Sequence, residues 1–327
     1  MKKLDFVIAW VDGSDENHRL KRQQFQPENV VKGAAEDTRF AHNDEIYFSI
    51  ASILKYVPYC GTIYIITDHQ QPSFVGEFEA QGLCRSGQIQ VVDHQKIFRN
   101  YQQYLPTFNS LSIESMLWNI KGISNHFIYL NDDFFFNQQS DLSDFLIDGQ
   151  MVIYGHWQAT LIKKMKYIFR KFLQQNFGMV AEAKYSTAQM LSADRVGMTR
   201  YYEIHHRPHI LSRDLLSTYF KNNKELLEQQ IQFKFRNIDQ LLPVGLSNHL
   251  AIQSDQAILK DDIDIAYLKD GRDLEKFILA LSNSEIKFGC IQSLDQLESL
   301  AEGRIRAALI QKFTGFLPSQ IQPTTVV

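Results

Sequence analysis

The sequence predicts an α/β protein, with a mainly parallel sheet flanked by helices and a more helical second half. Three observations carry this. Four short apolar runs stand in the first 133 residues, each ending on acidic residues. Segments with helical spacing of apolar residues lie between them. Longer amphipathic stretches replace such runs in the second half. Strands alternating with helices give parallel sheets, because a parallel pair needs a crossover that a helix supplies.

The runs are Phe6–Val11, ending at Asp12-Gly13-Ser14-Asp15; Thr62–Thr67, ending at Asp68; Ile89–Val92, ending at Asp93; and Phe127–Leu130, ending at Asn131-Asp132-Asp133. Between the first two, Ile46, Ile50, Ile53, Leu54 and Val57 fall on one face of a helix over Asn43–Val57. A second helix begins near Ser112, with Ile113, Met116, Leu117 and Ile120 on one face and Glu114 away from it. Later helices are expected over 161–177, over 212–230 with Ser212 as N-cap, and over 295–312, with a loose tail from Pro318. The chain divides softly into a nucleotide-sugar-binding core, 1–155, and an acceptor-side region, 156–327, that completes the same catalytic unit. Ligands of open parallel sheets bind beyond the carboxyl ends of the strands. Four acidic groups at such ends therefore point to a polar site on one edge.

With 44% hydrophobic and 22% charged residues the chain is an ordinary globular one. Its net charge of −3 argues against nucleic acid as a partner. Cys60, Cys84 and Cys290 form no CxxC pair, and their odd number suits free thiols in a reducing compartment. The opening MKKLDFVIAWVDG is broken by Asp5 and Asp12 and reads as a buried strand rather than a signal peptide. No stretch approaches the roughly 18 apolar residues of a membrane span. The expected location is cytoplasmic, or peripheral on the inner membrane face.

Asp132 and Asp133 are adjacent carboxylates at a strand end. Such a pair, with substrate phosphates, suits Mg²⁺, and it also suits a capped turn. Gly13 permits a tight turn, and Ser14 with neighbouring N–H groups suits a base, ribose or phosphate, although Asp-Gly is also a common turn. Arg39, just ahead of Asn43-Asp44-Glu45 at a helix start, makes an anion site; the acidic pair also suits the helix dipole. The cluster His205-His206-Arg207-Pro208-His209 supplies a base for a sugar hydroxyl; zinc binding is less favoured, since Pro208 breaks any helix and no Cys or HExxH context accompanies it. Arg236 lies among apolar residues and needs either a phosphate or Asp239. Lys163, Lys164, Lys166, Arg170 and Lys171 stand against Leu161, Ile162, Met165, Ile168, Phe169 and Phe172, as in a membrane-surface helix or the solvated face of a packed one.

Several motifs then coincide in order. WVDGSD (Trp10 to Asp15) resembles the first conserved block of the Stealth family. The stretch from Arg39 to Phe74, continued from Leu105 to Phe136, resembles the second. HHRPHILSRDLL with FKFRNIDQL is similar to the third. The resemblance implies a Rossmann-like, glycosyltransferase-A-like core, a UDP-sugar donor, Mg²⁺ or Mn²⁺, and UMP as leaving product in bacterial capsular or cell-surface polysaccharide synthesis. It implies functional roles for Asp12, Arg39, Asn43, Asp132, Asp133, His206 and Arg236. Two departures stand out. His42 takes the place of the usual Asp before Asn43, and Cys290-Ile291 is followed by Gln292-Ser293-Leu294-Asp295 instead of Asn-Asp. No site residue is carried over from that last block.

The expected reaction is transfer of a hexose 1-phosphate from a UDP-sugar to a saccharide hydroxyl, with a lipid-linked acceptor as one option. His206 is the base, Arg236 and the metal stabilise charge, and Asp132 and Asp133 hold the metal. Asp12, Gly13, Ser14, Asp15, Arg39 and Asn43 position the donor, and His209 assists His206. The competing readings are a metal-dependent glycosyltransferase releasing UDP and a non-catalytic carbohydrate-binding protein.

Overall fold

The computed structural model describes residues 3–26, 43–179, 183–292 and 294–321. In chain order the strands are β1 (Leu4–Ala9), β2 (Cys60–Thr67), β3 (Ile89–Asp93), β4 (His126–Asn131), β5 (Phe134–Phe136), β6 (Leu146–Ile147), β7 (Gln150–Tyr154), β8 (His156–Ala159), β9 (Arg200–Glu203), β10 (His209–Ser212), β11 (Ala257–Lys260), β12 (Ala266–Leu268) and β13 (Phe288–Ile291). The main sheet has the order β10-β4-β1-β2-β3. β1 to β4 are parallel, with Val7 opposite Tyr64 on one side and Tyr129 on the other. β10 closes the edge antiparallel to β4, Ile210 facing Ile128. Leu4, Phe6, Val7 and Ile8 have no exposed surface. Strands covered on both faces read as unbroken apolar runs, which is why β1, β2 and β4 were visible in the sequence, whereas β3 is a half-buried edge strand.

β1 ends at Ala9, so Trp10 and Val11 leave the ladder earlier than their apolar character suggests. The helix Glu45–Tyr56 follows the expected span, with Ile46, Ile50 and Ile53 fully buried. Burial of each such side chain contributes roughly 1.5–3 kcal/mol. Its start has no side-chain cap. Arg306 instead donates to Asp44 Oδ2 at 2.9 Å and to the Asn43 carbonyl at 2.8 Å. The helix stops ahead of Pro58, which keeps the preceding residue out of the helical region.

Two expected helices are divided. The one near Ser112 becomes a helix over Ser110–Glu114 and a 3-10 turn over Leu117–Asn119. The Ser115 hydroxyl donates to the Leu111 carbonyl at 2.7 Å and Trp118 Nε1 to the Ser115 carbonyl at 2.8 Å. Side-chain donors there compete with the helical ladder. The 212–230 segment breaks at Asn223 into Arg213–Asn222 and Lys224–Ile231, with Ser212 capping the first part as expected. The C-terminal segment forms a 3-10 turn over Leu294–Gln296 and a helix over Ser299–Lys312.

The second half is helical but also supplies β8 to β13, each of three or four residues. Such short strands carry too little periodicity to be read. One apolar core cluster runs from Leu4 to Ile321 through both halves.

The helix Thr160–Phe177 is turned opposite to an ordinary surface helix. Leu161, Ile162, Met165, Ile168, Phe169 and Phe172 are all more than half exposed. Three of its lysines are tied to the protein: Lys163 reaches Glu203 at 3.3 Å, Lys164 Asp194 at 2.5 Å and Lys171 Asp239 at 2.9 Å. The reading as a packed helix with a solvated charged face is therefore overturned. Among the described residues, no helix is long and apolar enough to cross a membrane.

Candidate active site

The carboxyl ends of β1 and β4 open onto a cleft of about 710 Å³. Trp10 and Val11 line it from the end of β1, and Asn131, Asp132 and Asp133 from the end of β4. This is the position at which open parallel sheets bind ligands.

The floor is acidic. Burial raises the pKa of Asp132 well above its usual value, and Asp133 and Glu45 raise it further. Burial raises Asp133 to about 6 and Glu45 to about 7, the latter with help from Asp133. Three carboxylates within reach of one another thus compete for charge. Asp133 Oδ1 is buried with no hydrogen-bond partner among the described residues, while Oδ2 lies 3.5 Å from Cys290 Sγ. An orphaned carboxylate oxygen among hard anionic ligands fits a divalent cation such as Mg²⁺ or Mn²⁺. Glu45 was not among the sequence candidates for this role. It is the first residue of its helix, where an acidic side chain reads as a dipole partner, so its sequence position does not signal this role.

His206 and Arg236 line the same cleft. The Arg236 loop is stapled to the 107–112 segment by a buried polar network. Asn109 donates to Gln240 at 2.8 Å, Gln240 donates to the Gln230 carbonyl at 2.8 Å, and Phe108 N donates to the Lys234 carbonyl at 2.9 Å. Arg236 donates to Ser110 Oγ at 2.7 Å. The alternative pairing with Asp239 is not formed, since Asp239 accepts from Tyr167 at 2.7 Å and from Lys171. His206 stacks on Tyr185 with ring centres 4.8 Å apart. Burial, then Arg236 and His205, lower its pKa, so the imidazole is neutral at neutral pH. His209 sits in β10 opposite Tyr129, also lines the cleft, and is held neutral by burial and by Arg207.

The cleft thus brings together Asp132, Asp133, His206, His209 and Arg236. It does not include the 12–15 turn. There Asp12 Oδ1 accepts from the backbone N–H and hydroxyl of Ser14 at 2.9 and 2.6 Å, and Asp15 caps the helix Glu16–Phe25. Asn43 is likewise not a lining residue, although its N–H donates to Glu45 at 2.7 Å. Arg39 lies outside the described residues. Of the other strand-end acids, Asp68 pairs with Lys21 at 2.7 Å and Asp93 caps the short helix His94–Ile97, both structural uses.

Sequence reasoning missed Glu114 and Tyr185, which line the cleft, and the contribution of the last block through Ile291 and Gln292. Glu114 is buried with Oε2 unpartnered among the described residues, and burial raises its pKa to about 7 against the opposing pull of Arg236, Ser110 and Tyr129. Its place off the apolar stripe was the available clue. The folded state keeps this proton while the unfolded chain releases it above 4.5, so stability falls as pH rises from there to about 7 and the penalty persists above. Glu114→Gln is expected to gain on the order of 1–3 kcal/mol at pH 8 relative to pH 5. Urea unfolding at both pH values checks this, and an equal change at the two would contradict it.

Residues 39–153 match the family description "Stealth protein CR2, conserved region 2". This stretch of the chain is a conserved region of the Stealth family. A relative, the exopolysaccharide phosphotransferase SCO2592 of Streptomyces coelicolor, is 30% identical over 271 residues, or 82% of this chain and 27% of that protein. The capsular polysaccharide phosphotransferase cps1A of Actinobacillus pleuropneumoniae is 39% identical over 145 residues, 43% of this chain and 38% of that one. The matches therefore span well under half the length of these relatives. Among solved structures, the apo WbbM bifunctional glycosyltransferase superposes with a TM-score of 0.46 at 9% identity, over 98% of this chain and 51% of that one. The region that carries the Stealth match contains the whole acidic floor, Glu45, Asp132 and Asp133.

Proposed function

We propose that this protein transfers a hexose 1-phosphate from a UDP-sugar to a saccharide hydroxyl and releases UMP, in the synthesis of a capsular or cell-surface polysaccharide. The observation that carries the reading is one cleft lined by a buried carboxylate trio together with a neutral imidazole and an arginine. The names of the relatives, capsular and exopolysaccharide phosphotransferases, agree with it.

Asp132 and Asp133, with Glu45, would hold Mg²⁺ or Mn²⁺, which when bound neutralises charge on the donor's phosphoryl oxygens. His206 takes the proton of the acceptor hydroxyl as its oxygen bonds to the β-phosphorus. The bond from that phosphorus to the bridging oxygen breaks, and UMP leaves with the oxygen. Arg236 meets charge building on the transferred phosphoryl group, the dominant contribution in such reactions. Its bond to Ser110 aims the guanidinium beforehand. Tyr185 fixes the plane of His206. The 12–15 turn, Arg39 and Asn43 serve the donor side, and His209 supports His206 from β10. Residues 1–155 carry the donor and 156–327 the acceptor. Incubation with a panel of UDP-sugars and oligosaccharide acceptors tests this by identifying the nucleotide product. UMP supports the reading, UDP replaces it with an ordinary glycosyltransferase, and no nucleotide product leaves a carbohydrate-binding protein.

The acceptor side includes contact with an anionic membrane on the cytoplasmic face through the helix Thr160–Phe177. Six large apolar side chains in water forfeit roughly 1.5–3 kcal/mol each relative to burial. Lys166 and Arg170, which make no ion pair among the described residues, complement anionic head groups. Ile168→Glu with Phe169→Glu is expected to abolish sedimentation with anionic liposomes, and Lys166→Glu with Arg170→Glu to make it weaker and more salt-sensitive. A wild-type protein that stays in the supernatant at low salt, or a double glutamate variant that still sediments, would contradict this contact.

A further inference from the structure

Outside the cleft, two imidazoles and a carboxylate converge where β8, β9 and the chain after β11 meet. His156 opens β8 in register with Glu203 at the end of β9. Gly155 permits that approach, because a Cβ on it would lie 2.1 Å from the Glu203 carbonyl oxygen. His205 follows just past β9. Asp262 follows just past β11, whose last residue is fixed to the other two strands: the Lys260 carbonyl accepts from Gly155 N at 2.9 Å and from the Tyr202 hydroxyl at 2.7 Å. The result places His156 Nδ1 2.5 Å from Asp262 Oδ2 and His205 Nε2 3.4 Å from Asp262 Oδ1. One ligand-capable atom from each of the three lies within 4.8 Å of the others.

The geometry points to a second metal site, in which His156, His205 and Asp262 bind one Zn²⁺ apart from the carboxylate floor of the cleft. Imidazole nitrogen with a single carboxylate suits Zn²⁺ and other late first-row ions, whereas the all-oxygen set of Glu45, Asp132 and Asp133 suits Mg²⁺. Ligands at about 2.0–2.2 Å in a tetrahedron stand about 3.4 Å from one another. The His205–Asp262 separation matches that value and the His156–Asp262 separation is shorter. Glu203 lies 3.7 Å from the other ring nitrogen of His156, Nε2, and its carboxylate already accepts from Lys163 at 3.3 Å and from the Tyr201 hydroxyl at 3.1 Å, so it is not a fourth ligand beside Nδ1. Three protein ligands leave the fourth position to water. The comparable trio Asp68, His69 and Asp93 lacks this character: it has one imidazole, and the Lys21 ammonium 2.7 Å from Asp68 already supplies the positive charge. A Zn²⁺ ion at His156 ties three separate chain segments together and fixes the backbone next to His206.

The test is titration of the tag-free, EDTA-stripped protein with Zn²⁺ against a chromogenic chelator. One equivalent is expected to bind and to resist millimolar Mg²⁺. Affinity is expected to fall by at least about tenfold in His156→Ala and in Asp262→Asn, and to persist in His69→Ala. His156→Gln, which keeps a polar side chain on the strand, and circular dichroism of every variant separate lost ligation from lost fold. Absence of Zn²⁺ binding, binding that survives both His156→Gln and Asp262→Asn, or binding lost instead in Asp132→Asn overturns the proposal. None of these outcomes depends on which nucleotide the cleft uses.

Discussion

His206→Ala is expected to lower turnover by about 10²- to 10⁴-fold, the usual worth of a positioned base. UDP-sugar affinity should change little, because the base meets the acceptor rather than the nucleotide. The pH profile gives the sharper reading. A base must be neutral to act, and burial, Arg236 and His205 hold the His206 pKa below the ordinary 6.5. The rate therefore rises with pH through a midpoint below 6.5 and levels off above it. That limb should vanish in His206→Ala and persist in His205→Ala and His209→Ala. Near-normal turnover in His206→Ala would move the base to His209, Asp12 or the carboxylates near Asn43.

Asp132→Asn and Asp133→Asn are expected to abolish turnover while leaving the fold intact, and to act on stability in opposite directions with and without metal. In the ion-free protein the Asp133 pKa of about 6 exceeds its ordinary 3.8. The folded state then holds a proton that the unfolded chain has lost, so stability falls as pH rises between those values and the penalty remains at pH 8. Removing the charge should stabilise the ion-free protein on the order of 1–3 kcal/mol at pH 8. The further stabilisation that UDP-sugar with Mg²⁺ gives the wild type should disappear. Thermal unfolding with and without both ligands checks the pair, and undiminished ligand-dependent stabilisation in both variants would remove these residues as metal ligands.

The parallel core was legible because Phe6–Ile8, Ile63–Ile66 and Phe127–Leu130 are buried on both faces and so stay apolar without interruption. Asp132, Asp133, His206, His209 and Arg236 were legible because each is a chemically costly residue at a strand end or in an otherwise apolar setting, and the cleft gathers them. Glu45 and Glu114 were not, since only tertiary packing shows that their carboxyl groups are buried beside the site. Asp93 shows the converse: a strand-end carboxylate whose oxygens accept from the backbone N–H groups of Gln95 and His69 looks identical in sequence to one that faces a ligand. The helix Thr160–Phe177 was legible as amphipathic, yet which face the protein kept was decided by Glu203, Asp194 and Asp239, far away in the chain.

The central claim is that the phosphate moves with the sugar. Incubation of the protein with an acceptor saccharide, Mg²⁺ and a UDP-sugar labelled at the β-phosphorus decides it. The account predicts label in the saccharide product and unlabelled UMP, whereas label recovered in UDP with an unlabelled saccharide would contradict it.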